Sequence, residues 1–195
     1  MNLVHVGYDS TNYYVLAGAT GRLLVDVGFP GTLPKLLAAL QRKSLTLADL
    51  TAVVATHYHP DHAGLLGELK QKGLPPLVLE PQVSAIPLLA NYVKPGSGYV
   101  PLDPAANAAV PLAQSRAWLA RLGLAGEFLH TPGHSADSVS LVLDDGAAFT
   151  GDLTLPGFAK DDAAAAEVEA SWASLKAHGA RLLYPGHGPT ARPLP

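Results

Sequence analysis

Residues 56–62 read THYHPDH and follow directly on the apolar run Thr51–Ala55. A short apolar run of this kind is typical of a buried β-strand, so the polar cluster lies where the strand ends and the chain turns. His57 and His59 are two residues apart, which in an extended strand end points their side chains the same way, and Asp61 continues that alternation. Because neutral imidazole is the commonest protein ligand of zinc and a carboxylate binds metal or takes a proton, the stretch predicts the nucleus of a two-metal hydrolytic site.

Composition limits the classes of protein and of metal site. The 195 residues are 48% hydrophobic and 15% charged, which is typical of a compact globular enzyme, and we expect one domain over residues 1–195. The formal net charge is −3, so the sequence offers no basic footprint for a nucleic acid polymer. The sequence contains no cysteine, which excludes disulfides, thiolate ligands and a cysteine nucleophile. Any metal must therefore be held by histidines and carboxylates.

The sequence shows no targeting or membrane signal. Residues 1–7, MNLVHVG, lack the basic segment and long apolar segment of a signal peptide. No uninterrupted apolar stretch reaches the roughly 18 residues that a membrane span needs. We therefore predict a cytoplasmic protein that does not bind membranes.

The order of strands and helices predicts an α/β protein with two similar halves. Strands are predicted at Leu3–Val6, Asn12–Ala17, Arg22–Val27, Thr51–Ala55, Leu77–Glu80, Glu127–His130, Val139–Leu143, Ala147–Thr150 and Arg181–Tyr184. Helices are predicted at Pro34–Lys43, Leu65–Lys72, Gln82–Val93, Ser115–Leu122 and Ala163–His178, with Pro87 breaking or kinking the third. The first three strands read as an antiparallel meander. Runs of strands interrupted by helices favour a layered sandwich over a single doubly wound sheet.

Three further polar residues follow predicted strands at glycine-containing turns. His134 follows Glu127–His130, Asp152 follows Ala147–Thr150, and His187 follows Arg181–Tyr184. A glycine next to each of them lets the backbone turn sharply and approach a site closely. Together with residues 56–62, four loops at strand ends therefore offer metal ligands.

With these residues the chain resembles the metallo-β-lactamase superfamily, and within it the glyoxalase II-type hydrolases. Residues 57–62 match the H-x-H-x-D-H signature of that family, and His134, Asp152 and His187 follow in the expected order. The resemblance covers nearly the whole chain. It implies a four-layer αββα sandwich.

The resemblance also implies a binuclear site with two zinc ions, iron and manganese being alternatives. His57, His59 and His134 would hold the first metal, and Asp61, His62 and His187 the second. Asp152 would bridge both, and a hydroxide would complete the bridge. Asp61 would act in catalysis by orienting the hydroxide and moving a proton. Asp26 matches a family aspartate near the site, where it would orient a ligand or its loop; capping the next turn is the alternative.

The leading functional hypothesis is hydrolysis of a small ester, thioester or lactone by the bridging hydroxide. One alternative is a mono-iron enzyme resembling the persulfide dioxygenases of the same superfamily, with iron on His57, His134 and Asp152. Another is a phosphodiesterase acting on a small molecule, because two metals suit phosphoryl chemistry. A binding module without catalysis is the fourth hypothesis, and the complete ligand set argues against it.

Two positions depart from known branches of the superfamily. Leu155 stands where many lactonases of the superfamily carry tyrosine, and Asp152 stands where zinc β-lactamases usually carry Cys or Ser.

The substrate is predicted to meet the segment 82–111, which is rich in proline and glycine. A loop of this length in a compact domain is usually functional, so we expect Tyr92 and Tyr99 to face the metals. Lys160 would reach the cleft from the other side. Exposed apolar surface on the segment would also serve a homodimer.

Overall fold

Ten strands form two five-stranded sheets in the computed structural model, which describes residues 2–195 apart from the side chain of Pro104. The strands are β1 (Asn2–His5), β2 (Tyr14–Ala17), β3 (Arg22–Val25), β4 (Ala52–Val54), β5 (Pro76–Leu77), β6 (Gly126–His130), β7 (Val139–Leu143), β8 (Ala147–Gly151), β9 (Leu182–Pro185) and β10 (Arg192–Pro193). The helices are α1 (Leu33–Gln41), α2 (Pro60–Ala63), α3 (Leu66–Gln71), α4 (Ser115–Ala120) and α5 (Asp162–Ala177). Short 3₁₀ helices cover Leu47–Asp49, Glu80–Gln82, Ile86–Tyr92, Pro104–Ala106 and Leu112–Gln114.

The two sheets have related topologies. In the first sheet the order is β1-β2-β3-β4-β5, with an antiparallel meander over β1–β3 as predicted and parallel pairs from β3 to β5. In the second sheet the order is β10-β9-β8-β7-β6, with β6, β7 and β8 antiparallel and β8 parallel to β9.

Three apolar clusters hold the layers together. The inward faces of both sheets meet in one cluster, where the rings of Tyr14 and Phe149 lie 5.3 Å apart, centroid to centroid. The outer face of the first sheet packs on α1 and α3 through residues such as Leu24 and Leu36. The outer face of the second sheet packs on α5, where Trp172 is buried. The layers therefore run helix, sheet, sheet, helix, and the predicted αββα sandwich is confirmed.

The strand directions bring the predicted ligand loops to one place. Strands β3 and β4 are parallel, so Asp26 and residues 56–62 emerge at the same edge of the first sheet. Since β6 and β8 are both antiparallel to β7, and β9 is parallel to β8, these three strands also end at a common edge. The loops with His134, Asp152 and His187 follow those three ends.

Some predicted elements differ from the structure. The α-helix predicted at Gln82–Val93 is wrong, because Ile86–Tyr92 forms a 3₁₀ helix with Pro87 in its first turn. In an α-helix that began at Gln82, Pro87 would lie in the interior, where its missing amide would leave a backbone carbonyl without a hydrogen bond. Strand β5 covers only Pro76–Leu77, and the predicted strands do not include the two-residue β10. Across residues 2–195, no helix combines the length and apolarity needed to cross a membrane.

Candidate metal centre

The THYHPDH segment follows the end of β4 and becomes helical at Pro60. His59 is the N-cap residue of α2 with extended backbone angles, φ −86° and ψ 155°, and Pro60 begins the helix. Asp61 and His62 therefore lie in a helical turn, and the predicted continuation of the strand alternation to Asp61 is wrong. Proline at the first helical position favours this conformation, because its fixed φ suits a helix and its missing amide is not needed there. The turn directs the His62 side chain into the protein, where it is fully buried.

Three imidazoles converge at the first predicted metal position. Nε2 of His134 lies 3.0 Å from Nδ1 of His59. The His57 ring lies 4.6 Å from that of His59 and 4.8 Å from that of His134, centroid to centroid. Four ligands placed tetrahedrally at about 2.1 Å from zinc would be roughly 3.4 Å apart. The His59–His134 separation is therefore close to that of two ligands on a single ion.

The second predicted position brings together Asp61, His62 and His187 around Asp152. Nε2 of His187 lies 3.2 Å from Asp61 Oδ2 and 3.3 Å from Asp152 Oδ2. Nε2 of His62 lies 3.5 Å from Asp61 Oδ2 and 3.3 Å from Asp152 Oδ1. Asp152 Oδ2 is also 3.8 Å from His134 Nε2, in the first group. The two oxygens of Asp152 thus face ligands from both groups, as a bridging carboxylate requires.

Several of these ligand atoms lack a hydrogen-bond partner. His57 Nε2, His62 Nε2 and Asp152 Oδ1 are buried and have no hydrogen-bond partner within the described chain. His62 Nε2 and Asp152 Oδ1 lie 3.3 Å from each other, but not in hydrogen-bonding geometry. Leaving a buried polar atom unpaired costs about 1–3 kcal/mol, so three such atoms together fit a site that binds a cation. Three overlapping groups, each with ligand atoms within 4.8 Å of one another, are formed by His57, His59 and His134; by His57, His62 and Asp152; and by Asp61, His62 and His187. Imidazoles and carboxylates without thiolates fit zinc, iron or manganese.

The charges of the isolated chain agree with a site built for cations. Burial and the neighbouring imidazoles hold the pKa of His57 well below its ordinary value, which keeps the ring neutral. Burial lowers the pKa of His62, but the carboxylates of Asp26 and Asp152 outweigh it and raise that pKa to about 10. Burial raises the pKa of Asp152, but the neighbouring imidazoles, His62 above all, outweigh it and lower that pKa below its ordinary value.

Asp26 supports the site from behind the ligands. It is almost fully buried and adopts a left-handed backbone conformation, φ 61°, which is uncommon for a residue other than glycine. Its Oδ1 accepts a 2.6 Å hydrogen bond from the Thr56 amide. Its Oδ2 lies 3.0 Å from both the Thr56 hydroxyl and His62 Nδ1. These contacts favour the predicted orienting role over a turn cap.

Two buried side chains that sequence reasoning missed also hold the ligand loop. Asp137 Oδ2 accepts a 2.7 Å hydrogen bond from the Tyr58 amide. Gln82 Nε2 donates to the carbonyls of Ala55 and Thr56 at 2.8 and 3.3 Å. The only feature of the sequence that could have indicated a role for Asp137 is its position three residues after His134. Gln82 gave no signal, because an isolated glutamine is usually a surface residue.

The N-terminal segment fixes the loop that carries His187. The carbonyl of Ser10 lies 2.7 Å from His187 Nδ1, so it accepts that proton and leaves Nε2 facing the carboxylates. Asn12 Nδ2 donates to the carbonyls of Pro185 and Gly188, which precede and follow His187 in the chain. The Thr11 hydroxyl donates to Asp61 Oδ2 at 3.2 Å. None of these contacts was predicted.

Three cavities adjoin the ligand cluster. The Tyr92 cavity, about 230 Å³, is lined by Tyr92, His59, Leu88 and Asp137 among others. The Lys160 cavity, about 340 Å³, is lined by Lys160, His134, Phe158 and Glu167 among others. The Arg192 cavity, about 280 Å³, is lined by Arg192, His134, Asp152, Leu155 and His187 among others.

Two of the three predicted substrate contacts lie beside the ligands. The ring of Tyr92 is 63% exposed and lies 5.8 Å from the ring of His59, centroid to centroid. Lys160 shares its cavity with His134. Tyr99 instead packs on the apolar cluster between the first sheet and its helices, and it lines none of the three cavities. Only the first part of the segment 82–111 therefore faces the site.

The chain is similar to known proteins over most of its length. Residues 6–187 match the model of the metallo-beta-lactamase superfamily. The atrochrysone carboxyl ACP thioesterase of Aspergillus fumigatus is 30% identical over 197 residues, which cover 96% of this chain and 39% of that protein. The lactamase-like protein nscB of Trichophyton rubrum is 31% identical over 193 residues, which cover 96% of this chain and 52% of that protein. The chain thus spans about half the length, or less, of these curated relatives.

Solved structures share the fold at lower identity. A B3 metallo-beta-lactamase with an active-site glutamic acid superposes with a TM-score of 0.72 at 17% identity, covering 98% of this chain and 80% of that one. A metallo-beta-lactamase family protein from Thermus thermophilus gives 0.68 at 22% identity, covering 99% and 74%. Because the family model covers residues 6–187, this chain belongs to the metallo-beta-lactamase superfamily.

Proposed function

We propose that this chain is a metal-dependent hydrolase that uses two metal ions to cleave thioesters. The observation that carries the proposal is the convergence of buried, unpartnered ligand atoms on His57, His62 and Asp152 within two linked groups of ligands. Such atoms are costly in a folded protein unless a cation satisfies them. Zinc is the preferred ion for this set of donors, with iron and manganese as alternatives.

The ligands divide between two positions. His57, His59 and His134 would hold the first ion, Asp61, His62 and His187 would hold the second, and Asp152 would contact both. When bound, such ions would lower the pKa of water, so that it becomes a nucleophile at neutral pH, and would polarise the carbonyl of the substrate. Asp152 supports this assignment because its Oδ1 faces His62 while its Oδ2 faces His187 and His134.

The side chains of the site set the direction of proton transfer. Asp61 Oδ2 is held by the Thr11 hydroxyl at 3.2 Å and lies at the open side of the cluster, with about 18% of its side chain exposed. It therefore orients the attacking oxygen and accepts its proton. Nδ1 of His62 donates to Asp26, and Nδ1 of His187 donates to the Ser10 carbonyl. Both contacts keep Nε2 free to bind metal.

Thioesters are the substrate class that the comparisons support within the predicted set of esters, thioesters and lactones. Relatives of Aspergillus fumigatus and Aspergillus terreus are named as acyl carrier protein thioesterases. The Lys160 cavity beside His134 and the Tyr92 cavity beside His59 leave room for an acyl group and for a thiol carrier.

Metal analysis followed by a substrate panel tests the proposal. We expect about two metal ions per chain and faster hydrolysis of thioesters than of matched oxygen esters, lactones or phosphodiesters. His59→Ala and Asp152→Ala should abolish turnover, while circular dichroism shows that both variants remain folded. The control variant His178→Ala, at the exposed end of α5, should keep both the turnover and the fold of the unmodified protein. Normal turnover in Asp152→Ala at normal metal content would contradict the proposal. One iron per chain with oxygen consumption would indicate the dioxygenase instead, and preference for the phosphodiester would indicate the phosphodiesterase.

A further inference from the structure

We propose that Arg192 binds an anionic group of the substrate, a carboxylate or a phosphate, beside the metal centre. This inference rests on the proposed thioesterase function and narrows its substrate class. It is carried by the position of Arg192 in the Arg192 cavity and by the lack of any protein partner for its guanidinium.

The Arg192 cavity is lined both by an arginine and by three of the proposed metal ligands. Arg192 lies in β10, five residues after His187, and lines the same 280 Å³ cavity as His134, Asp152 and His187. An arginine side chain stays protonated throughout the physiological pH range. A group bound in this cavity would therefore meet a positive charge on one wall and the ligand cluster on another.

The guanidinium of Arg192 has no partner in the described part of the chain. It forms no side-chain hydrogen bond and no ion pair with residues 2–195, and its Nε is buried without a partner. By contrast, Arg22 pairs with Asp49, and Arg116 pairs with Glu127 and Asp144. Arg42 is also unpaired, but it is exposed and can be hydrated fully. A half-buried, unpaired arginine in a cavity is expected to pair with an anion that arrives with the ligand.

The other residues that line the Arg192 cavity indicate the chemistry of the rest of the bound group. Leu153, Leu155 and Pro185 supply apolar surface to the same cavity. A short hydrocarbon linker between the scissile carbonyl and the anion would fit this surface. The planar guanidinium binds carboxylate and phosphate alike, usually through two parallel hydrogen bonds. The anion therefore comes either from the acyl group, as a terminal carboxylate, or from the thiol carrier, as the phosphate of a pantetheine arm.

Four substrates distinguish the two sources. Butyryl-pantetheine is neutral, glutaryl-pantetheine adds a carboxylate on the acyl side, butyryl-4′-phosphopantetheine adds a phosphate on the thiol side, and glutaryl-4′-phosphopantetheine has both. In Arg192→Met we expect KM for the substrate with the matching anion to rise about 10- to 100-fold, because a hydrogen bond to a charged group is lost. KM for the neutral substrate and kcat for all four should stay within twofold. Arg192→Lys should recover part of the loss, and Arg42→Met should resemble the unmodified protein.

Direct binding separates this inference from the proposed function. Calorimetry with the metal-loaded protein compares glutarate with butyrate, and 4′-phosphopantetheine with pantetheine. The inference is supported if the anionic member of one pair binds more tightly and Arg192→Met removes that difference, even if no thioester is cleaved. It is overturned if Arg192→Met leaves both differences unchanged, or if neither difference exists in the unmodified protein. Cleavage of the neutral thioester alone would then leave the proposed function standing without the anion site.

Discussion

The carboxylate of Asp137 accepts a hydrogen bond from the backbone amide of Tyr58, with the amide nitrogen 2.7 Å from Oδ2. Asp137 follows a strand of the second sheet, and Tyr58 follows a strand of the first. Asp26 makes the corresponding contact to the amide of Thr56, at 2.6 Å. Two buried carboxylates thus hold alternate amides of the ligand segment, and the His57 side chain projects from between them. The loop is fixed from both sheets, which keeps the predicted ligands in place before any metal binds.

Asp137→Ala should weaken both the fold and the first metal position. The change leaves the buried Tyr58 amide without an acceptor, which costs about 1–3 kcal/mol in the free energy of unfolding. Asp137→Asn retains an acceptor oxygen and should recover most of this loss. Urea unfolding of the metal-free protein measures the stability, and Asp162→Ala at an exposed position is the control. Equal stability of Asp137→Ala and the unmodified protein would show that water replaces the carboxylate.

Asp26→Asn should lower metal affinity at the second position more than it lowers stability. Asp26 Oδ1 would still accept from the Thr56 amide, while the new amide group would face His62 Nδ1 as a donor. His62 would then carry its proton on Nε2, the nitrogen that must bind the metal. We expect a loss of about 10- to 100-fold in affinity for one of two ions. Dialysis against buffered free zinc measures this, and two ions retained at the same free zinc would contradict it.

Gly186 and Gly188 offer a matched pair of substitutions on either side of His187. A Cβ on Gly186 would overlap the Asp152 carboxylate and the His62 ring, although the backbone angles there allow alanine. Gly188 has φ +80° and nothing within 4 Å of such a Cβ. Gly186→Ala should therefore displace ligands and lower metal content. Gly188→Ala should leave metal content unchanged and cost about 1–2 kcal/mol through backbone strain.

The two glycine variants should separate loss of metal from loss of stability. Gly186→Ala should resemble the metal-free protein even when zinc is present in excess. Gly188→Ala should unfold at a lower urea concentration but bind the full complement of zinc. If both variants lost metal equally, the loop conformation, and not the close approach to Asp152, would control the site.

Sequence patterns predicted the parts of the site that depend on local order. His57 and His59 were found from their spacing after an apolar run, and Asp152 and His187 from glycine turns after strands. The strand directions that bring them together were predicted only in outline, because pairing between distant strands leaves no periodic signal. The helical turn at Asp61 was missed, although Pro60 is a favourable first residue of a helix.

Contacts between distant segments could not be predicted from the sequence. Asn12 holds the loop before and after His187, at separations of 173 and 176 residues. Asp137 and Tyr58 are 79 residues apart. A single polar residue in a loop is usually hydrated, so the sequence alone favoured a surface role for each. Only the packed sheets reveal which of them are buried against the site.

Removal of metal should lower the melting temperature of the protein. A ligand present at about 1,000 times its dissociation constant stabilises the native state by about 4 kcal/mol. For a chain of this size that corresponds to a shift of roughly 10 °C. Melting in a chelator and again with added zinc measures the shift. His59→Ala and Asp152→Ala should show smaller shifts, and a full shift in both variants would place the bound zinc elsewhere.

Tyr92→Ala should raise KM and leave stability nearly unchanged. The ring is 63% exposed, forms one wall of the Tyr92 cavity and lies 5.8 Å from His59, so it is placed to contact an acyl group near the metals. Loss of an aromatic contact of about 1.4 kcal/mol corresponds to a tenfold rise in KM. Tyr92→Phe keeps the ring and should keep KM. Leu182→Ala removes an exposed apolar side chain at the far end of β9 from His187 and should also leave KM unchanged. A fall in kcat with constant KM in Tyr92→Ala would instead indicate that Tyr92 takes part in the chemical step. Tyr92→Phe would then show whether the hydroxyl or the ring is responsible.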